Sequence, residues 1–209
     1  MTDVATRLED VRARVEQAGG DPGAITIVGA KPPDVDACRA AIAAGVVDLG
    51  ENRAQELAAK APEVDGARWH FIGRLQTNKV RSIARHVALW ESLDRDDAID
   101  AVAARAPGVE VLVQVNISGE PQKGGCAPAA TRALVDRATG AGLRVVGLMG
   151  IGPEGDPEAA RPGFRTLRGL ADDLGLAVRS MGMTNDLEVA VQEGATMVRI
   201  GTALFGPRR

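Results

Sequence analysis

The chain has 209 residues, enough for one large domain or two small ones, and 45% of them are hydrophobic, so a sizeable core is within reach. Net charge is −3, from 25 Lys and Arg against 28 Asp and Glu, with no basic block. Two Trp and three Phe supply few stacking rings, so composition and charge exclude a nucleic-acid binder of the usual kind.

The N-terminal MTDVATRLEDV is charged and lacks an apolar h-region, so it does not read as a signal peptide. No apolar run approaches membrane-spanning length, so no membrane partner is expected and a cytoplasmic location follows. Val4, Leu8, Val11 and Val15 recur at helical spacing with charges between them, which predicts an amphipathic helix ended by Gly19–Gly20.

An alternation of apolar runs and helical patterns then begins. AITIVG (24–29) precedes a helix over 34–45, and VVDLG (46–50) a helix over 51–61. RWHFIG (68–73) precedes 76–86, and VALWES (87–92) precedes 95–106. VEVLVQVNIS (109–118) precedes 127–142, and LRVVGLMGI (143–151) precedes 156–175. LAVRS (176–180) precedes 185–194, and ATMVRIG (195–201) closes the series with no helix assigned after it. The strands are short apolar runs, as parallel strands covered on both faces are. Gly45, Gly142, Gly175 and Gly194 end helices. Repeated βα units with eight strands point to an α/β fold: a single (β/α)8 barrel with an extra N-terminal helix, residues 1–209 forming one domain. A doubly wound open sheet is the alternative.

Such a barrel places its functional groups at the C-terminal ends of the strands, often with a phosphate after strands seven and eight. Those strands end at Ser180 and at Arg199–Gly201. Glycines there let backbone N–H groups approach an anion, and Ser180, Thr184 and Thr202 add hydroxyls. Lys31 follows the first strand. A lysine at the top of a strand can project into the mouth, where a partly desolvated amine suits imine formation with an aldehyde. From position alone, an ordinary solvated lysine is the plainer reading. Asn52 ends the second strand as a cap or a ligand group, and Met149 ends the sixth. His70 ends the third, packed or functional.

Gly150-Ile-Gly152-Pro-Glu-Gly155 matches G-x-G-x-x-G, but Pro153 and Pro157 keep it in a loop, so it reads as no dinucleotide site. Cys38 and Cys126 read as reduced, partly buried thiols rather than a disulfide or a metal site. Asp96–Asp97 and Asp172–Asp173 read as solvated helix faces.

VGAKPP (28–33), LGENRAQEL (49–57), WHFIGRLQTNK (69–79), VLVQVNISGEPQKGG (111–125), GLMGI (147–151) and SMGMTNDLEVAVQEGATMVRIGTALFG (180–206) together resemble the pyridoxal phosphate homeostasis protein family. These are small single-domain relatives of the alanine racemase N-terminal barrel, and the resemblance runs from about residue 4 to 207. It implies that Lys31 forms a covalent aldimine with pyridoxal 5′-phosphate and that Asn52 lies near the ring. It implies phosphate contacts at Ser180, Gly201 and Thr202, with Met181 and Gly182 supplying neighbouring backbone. Arg199 resembles the arginine that faces the pyridine nitrogen in alanine racemase. A permanent guanidinium charge there keeps the nitrogen unprotonated and makes the ring a weaker electron sink. The family shows Ser or Thr before the lysine and a K-T-K-P-like continuation, whereas this chain reads Gly29-Ala30-Lys31-Pro32-Pro33-Asp34. Aligned without gaps back from Gly50-Glu51-Asn52, Lys31 falls on the aldimine lysine.

The resemblance implies a non-catalytic, monomeric carrier that buffers pyridoxal 5′-phosphate or delivers it to apoenzymes. A racemase that uses tyrosine as its second base is excluded, because the chain has no tyrosine. A racemase or lyase with another base, His70 or a cysteine, is the alternative; a sugar-phosphate barrel enzyme is a more distant one.

Overall fold

A computed structural model describes residues 3–207. The helix α1 (Val4–Gln17) comes first, followed by eight strands: β1 (Thr26–Ala30), β2 (Asp48–Glu51), β3 (Arg68–Phe71), β4 (Val87–Leu93), β5 (Glu110–Val115), β6 (Arg144–Gly150), β7 (Val178–Ser180) and β8 (Met197–Ile200). Between them lie α2 (Val35–Ala43), α3 (Ala54–Lys60), α4 (Thr77–Ile83), α5 (Asp96–Ala103), α6 (Thr131–Gly140), α7 (Arg161–Asp173) and α8 (Leu187–Gln192), and α9 (Thr202–Phe205) follows β8. All eight strands run parallel in sequence order and close into one barrel, because β1 pairs with both β2 and β8. The open-sheet alternative is therefore set aside. Among the described residues no helix is long and apolar enough to cross a membrane.

Successive side chains of a strand point to opposite faces, and the barrel sorts its apolar residues accordingly. Val28, Leu89, Leu112, Met149 and Met197 form an inner cluster that plugs the lumen. Their neighbours Leu49, Trp90, Val111, Val113, Leu148, Val198 and Ile200 face outward into the layer beneath the helices. Leu8, Val11 and Val15 bury one stripe of α1 in that layer, and the helix stops before Gly19, which takes φ 88.

Local chemistry moves several boundaries from their expected places. Glu51 stays in β2, so the helix expected over 51–61 starts at Ala54. The helices expected over 127–142 and 156–175 open as 3₁₀ turns, Pro128–Ala130 and Pro157–Ala160, before α6 and α7 begin. Proline suits a first turn because its missing N–H has no partner there anyway. Strand β7 keeps three residues of the expected 176–180. The sequence assigned nothing after the last strand, but Leu204 is fully buried and pins α9 to the outer layer. The segment 151–156 after β6 is irregular, with Pro153 inside it and Pro157 just beyond.

Candidate functional site

The strand C-termini form one rim, and Lys31 stands on it. It is the only non-glycine at positive φ among the described residues, at 56°. That left-handed conformation costs about 1 to 2 kcal/mol and persists only where the surroundings over-determine it. Here they do. The Lys31 N–H donates to the Gly50 carbonyl at 2.7 Å, which extends the β1–β2 ladder. The next residue, Pro32, is buried, and its carbonyl accepts from Lys60 Nζ at 2.6 Å. Lys60 in turn pairs with Glu51 at 2.6 Å and Glu56 at 3.4 Å. The chain has four lysines. Lys31 is exposed, Lys60 is buried, and Lys79 and Lys123 are half-buried. Lys123, in the loop after β5, donates to the Gly152 carbonyl in the neighbouring loop after β6 at 2.6 Å.

The turns after β7 and β8 border Lys31 on one side. A Cβ built on Gly201 would lie 3.0 Å from the carbonyl oxygen of Ala30, so that turn is packed against the residue before the lysine. Thr202 is exposed at the start of α9. Thr184 Oγ1 accepts from the Ala203 N–H at 3.3 Å and joins the two turns. Gly182 sits at φ 94, and its carbonyl accepts from the Arg199 N–H at 3.0 Å. The N–H of Met181 donates to the Met197 carbonyl at 3.1 Å, and its side chain belongs to the outer core. From outside, Arg14 on α1 donates to both carboxylate oxygens of Glu188, at 2.6 and 2.9 Å, and to the Thr184 carbonyl at 2.7 Å. On the opposite flank Asn52 is exposed after β2. Its backbone meets Gly73 so closely that a Cβ there would fall 2.1 Å from the Asn52 carbonyl oxygen.

Beneath the rim a chain of buried polar side chains crosses the lumen. Asp48 Oδ1 lies 2.9 Å from His70 Nε2, and His70 Nδ1 lies 2.7 Å from Glu91 Oε1. Ser180 Oγ donates to Glu91 Oε2 at 2.6 Å. Arg199 Nη1 donates to Ser180 Oγ at 2.7 Å and to its carbonyl at 2.9 Å, while Nη2 donates to the Gly150 carbonyl at 2.9 Å. Arg68 adds an ion pair to Asp48 from the edge. Both His70 ring nitrogens face carboxylates, so both carry protons and the ring is an imidazolium. Burial alone would lower the His70 pKa, but Asp48 and Glu91 outweigh it and raise it to about 9. Burial would also push the two carboxyls up; the His70 contacts outweigh this and hold both below their ordinary values, with help from Arg68 at Asp48 and from Arg199 and Ser180 at Glu91. Burial pulls Arg199 below its usual value, opposed by the charges of Glu91 and Asp186.

The structure thus gathers the sequence-predicted residues into two levels. Lys31, Asn52, Gly201 and Thr202 stand on the rim. Met149, Ser180 and Arg199 lie below it, on adjacent strands, with Met149 in the apolar plug. Gly182 and Met181 connect the levels. The sequence reading gave the Ser180 hydroxyl to a phosphate; in this structure its proton goes to Glu91. Asp48 and Glu91 belong to this network although no motif marks them. Each is a lone acid inside an apolar strand run, and that pattern signals a charge aimed at a barrel lumen, since both faces of such strands are covered. Cys38 is buried with its thiol pushed up to about 11, first by burial, and burial also raises Cys126. Neither is a ready thiolate. The two Asp pairs, 96–97 and 172–173, are exposed on helices.

Comparison with known proteins fits this geometry. Residues 8–209 match the family described as alanine racemase, N-terminal domain. The chain is 41% identical over 223 residues to the pyridoxal phosphate homeostasis protein of Pseudomonas aeruginosa, covering all of this chain and 97% of that one. It is 41% identical to the protein of that name from Aquifex aeolicus, covering 97% and 95%. PipY of Synechococcus elongatus, solved with PLP bound, superposes with a TM-score of 0.86 at 30% identity, covering 98% of this chain and all of that one. An alanine racemase from Clostridium difficile shares the fold at a TM-score of 0.78 but only 13% identity, and this chain covers 57% of it. A full-length match at such identity, on a closed barrel with its lysine at the end of β1, makes the chain a member of the pyridoxal phosphate homeostasis protein family.

Proposed function

We propose that this protein binds pyridoxal 5′-phosphate through a reversible covalent bond to Lys31 Nζ, and that it buffers and hands on the cofactor rather than turning over a substrate. The observation that carries the reading is Lys31 itself. It is an exposed amine at the end of β1, in a left-handed conformation fixed by Gly50 and by the Lys60–Pro32 anchor. The names of the relatives and the PLP-bound PipY support it from outside.

The surrounding residues fit the group. Gly201 and Thr202 offer backbone and hydroxyl donors beside Lys31 for a phosphate, with Gly182 and Met181 as neighbouring backbone. Asn52 flanks the ring from β2, and Met149 closes the lumen below. Arg199, held by Ser180, would present a guanidinium to the pyridine nitrogen, a donor too weakly acidic to protonate it. Pyridoxal phosphate supplies an aldehyde that reacts with free amines, and holding it on a protein amine limits such side reactions. Release then needs only water or a competing amine.

A carrier is favoured over a racemase or lyase because neither His70 nor either cysteine, the candidates for a second base beside Lys31, is set up to move a proton. His70 is fully buried and both its nitrogens are spent on carboxylates. Both thiols have raised pKa values. The reading includes a cytoplasmic monomer of one domain that delivers to apoenzymes. To test it, the protein is loaded with pyridoxal phosphate, mixed with a cofactor-free aminotransferase and separately with amino acids. Transfer that restores aminotransferase activity, without racemisation or elimination of the amino acids, is the expected result. Steady turnover by the loaded protein would refute the carrier.

A further inference from the structure

Glu91 on β4 and Arg199 on β8 come from opposite walls of the eight-stranded barrel, with Nη1 and Oε2 3.9 Å apart. The Ser180 hydroxyl bridges them. It has a single proton, and that proton is donated to Glu91 Oε2. The oxygen's lone pairs are therefore left for Arg199 Nη1. Both Nη1 protons are used on Ser180 and one Nη2 proton on Gly150. Three bonds to a planar group fix its plane and its rotation. The Nε–H and the second Nη2 proton have no hydrogen-bond partner among the described residues, so they are left for a ligand.

Glu91 is itself held. Its other oxygen takes the His70 Nδ1 proton, and His70 is backed by Asp48. A buried set of two acids, an imidazolium and a guanidinium is costly to desolvate, and apolar side chains of the same volume often serve stability as well or better. Stability alone is thus a weak reason for these residues, whereas orientation of a fork-shaped cation is a specific one. We infer that Glu91, backed by His70 and Asp48, is the positioning residue that sets the Ser180 hydroxyl and thereby aims the free N–H groups of Arg199 at the pyridine nitrogen. This rests on the cofactor reading above. Without the Glu91 charge, Asp186 is the other carboxylate whose field reaches Arg199, and the guanidinium is free to turn towards it.

The test uses Glu91→Gln, which keeps the shape and removes the charge, and Ser180→Ala, which removes only the bridge. Each is loaded with pyridoxal phosphate carrying ¹⁵N in the ring. The wild-type ring nitrogen should resonate as an unprotonated pyridine. In both variants it should shift towards the protonated value and the cofactor should bind about tenfold more weakly, while borohydride still fixes it on Lys31. In cofactor-free protein, the Arg199 guanidinium protons should exchange faster in both variants than in wild type. Val102→Ala, a cavity in α5 outside the barrel, should lower stability and leave the nitrogen shift unchanged. Variants with the wild-type nitrogen shift and wild-type guanidinium exchange would overturn the proposal. A wild-type protein that forms no Lys31 adduct would overturn the cofactor reading, and the guanidinium exchange would still decide whether Glu91 holds Arg199.

Discussion

Lys60 Nζ lies 2.6 Å from both the Pro32 carbonyl oxygen and Glu51 Oε1, and so binds α3, the end of β2 and the residue after Lys31 into one knot. The side chains of Lys60 and Glu51 are 10% and 0% exposed. The knot explains how Lys31 keeps a strained backbone on an otherwise open rim.

Lys60→Met should therefore do more than remove a surface ion pair. It takes the Lys60 cation away from the buried Glu51 carboxylate, which costs on the order of 3 kcal/mol. Urea unfolding measures this, and Lys60→Met/Glu51→Gln should recover part of the loss. The anchor on Pro32 stays lost in the double variant, so its cofactor affinity should remain reduced.

The strain at Lys31 has its own signature. Lys31→Ala and Lys31→Gly both remove the amine, but only glycine adopts φ 56 at little cost. Lys31→Gly should be more stable than Lys31→Ala by about 1 kcal/mol in chemical denaturation. Equal stabilities would mean that the left-handed turn relaxes once the side chain is gone.

The His70 imidazolium makes stability depend on pH. Its folded pKa is about 9 against 6.5 for the ordinary imidazole. The folded state therefore binds the proton more tightly, so this stabilisation is complete below about pH 6.5 and is lost as pH rises through 9. The unfolding free energy should fall by roughly 3 kcal/mol over that window in wild type, and His70→Gln should lack this slope. The Asp48 and Glu91 carboxyls have lowered folded values, so their share is lost at the acid end instead. Urea titrations at stepped pH check both arms.

Arg14 links α1 to α8 through Glu188 and to the turn after β7 through the Thr184 carbonyl. The pair is partly exposed, at 30% and 41%, and salt screens it. Arg14→Ala should cost about 1 kcal/mol of stability. It should weaken phosphate-dependent binding more than binding of pyridoxal without its phosphate, a difference that calorimetry with the two ligands measures.

Much of this molecule is written locally. Apolar runs such as Val111–Val115 and helix-ending glycines such as Gly45 and Gly175 reveal the βα repeat, because period and punctuation are short-range properties. Lys31, Gly201 and Thr202 were legible as rim residues once the strands were counted. The helix α9 was not, since four residues are too few to show a period. The lumen network was illegible for a different reason. Ser180 and Glu91 are 89 residues apart, and no local pattern shows that one donates to the other. Only the closed barrel puts β4 across from β7 and β8. What sequence can offer is a flag: Asp48, His70, Glu91 and Arg199 each interrupt an apolar strand, and four such interruptions pointing one way imply a common interior.

The central claim is that Lys31 holds the cofactor. Loaded protein is reduced with borohydride, digested and mapped by mass spectrometry. The account predicts one phosphopyridoxyl group on the peptide containing Lys31, and none in Lys31→Ala. A modification centred on Lys60, Lys79 or Lys123, or an unmodified wild-type chain, would contradict it.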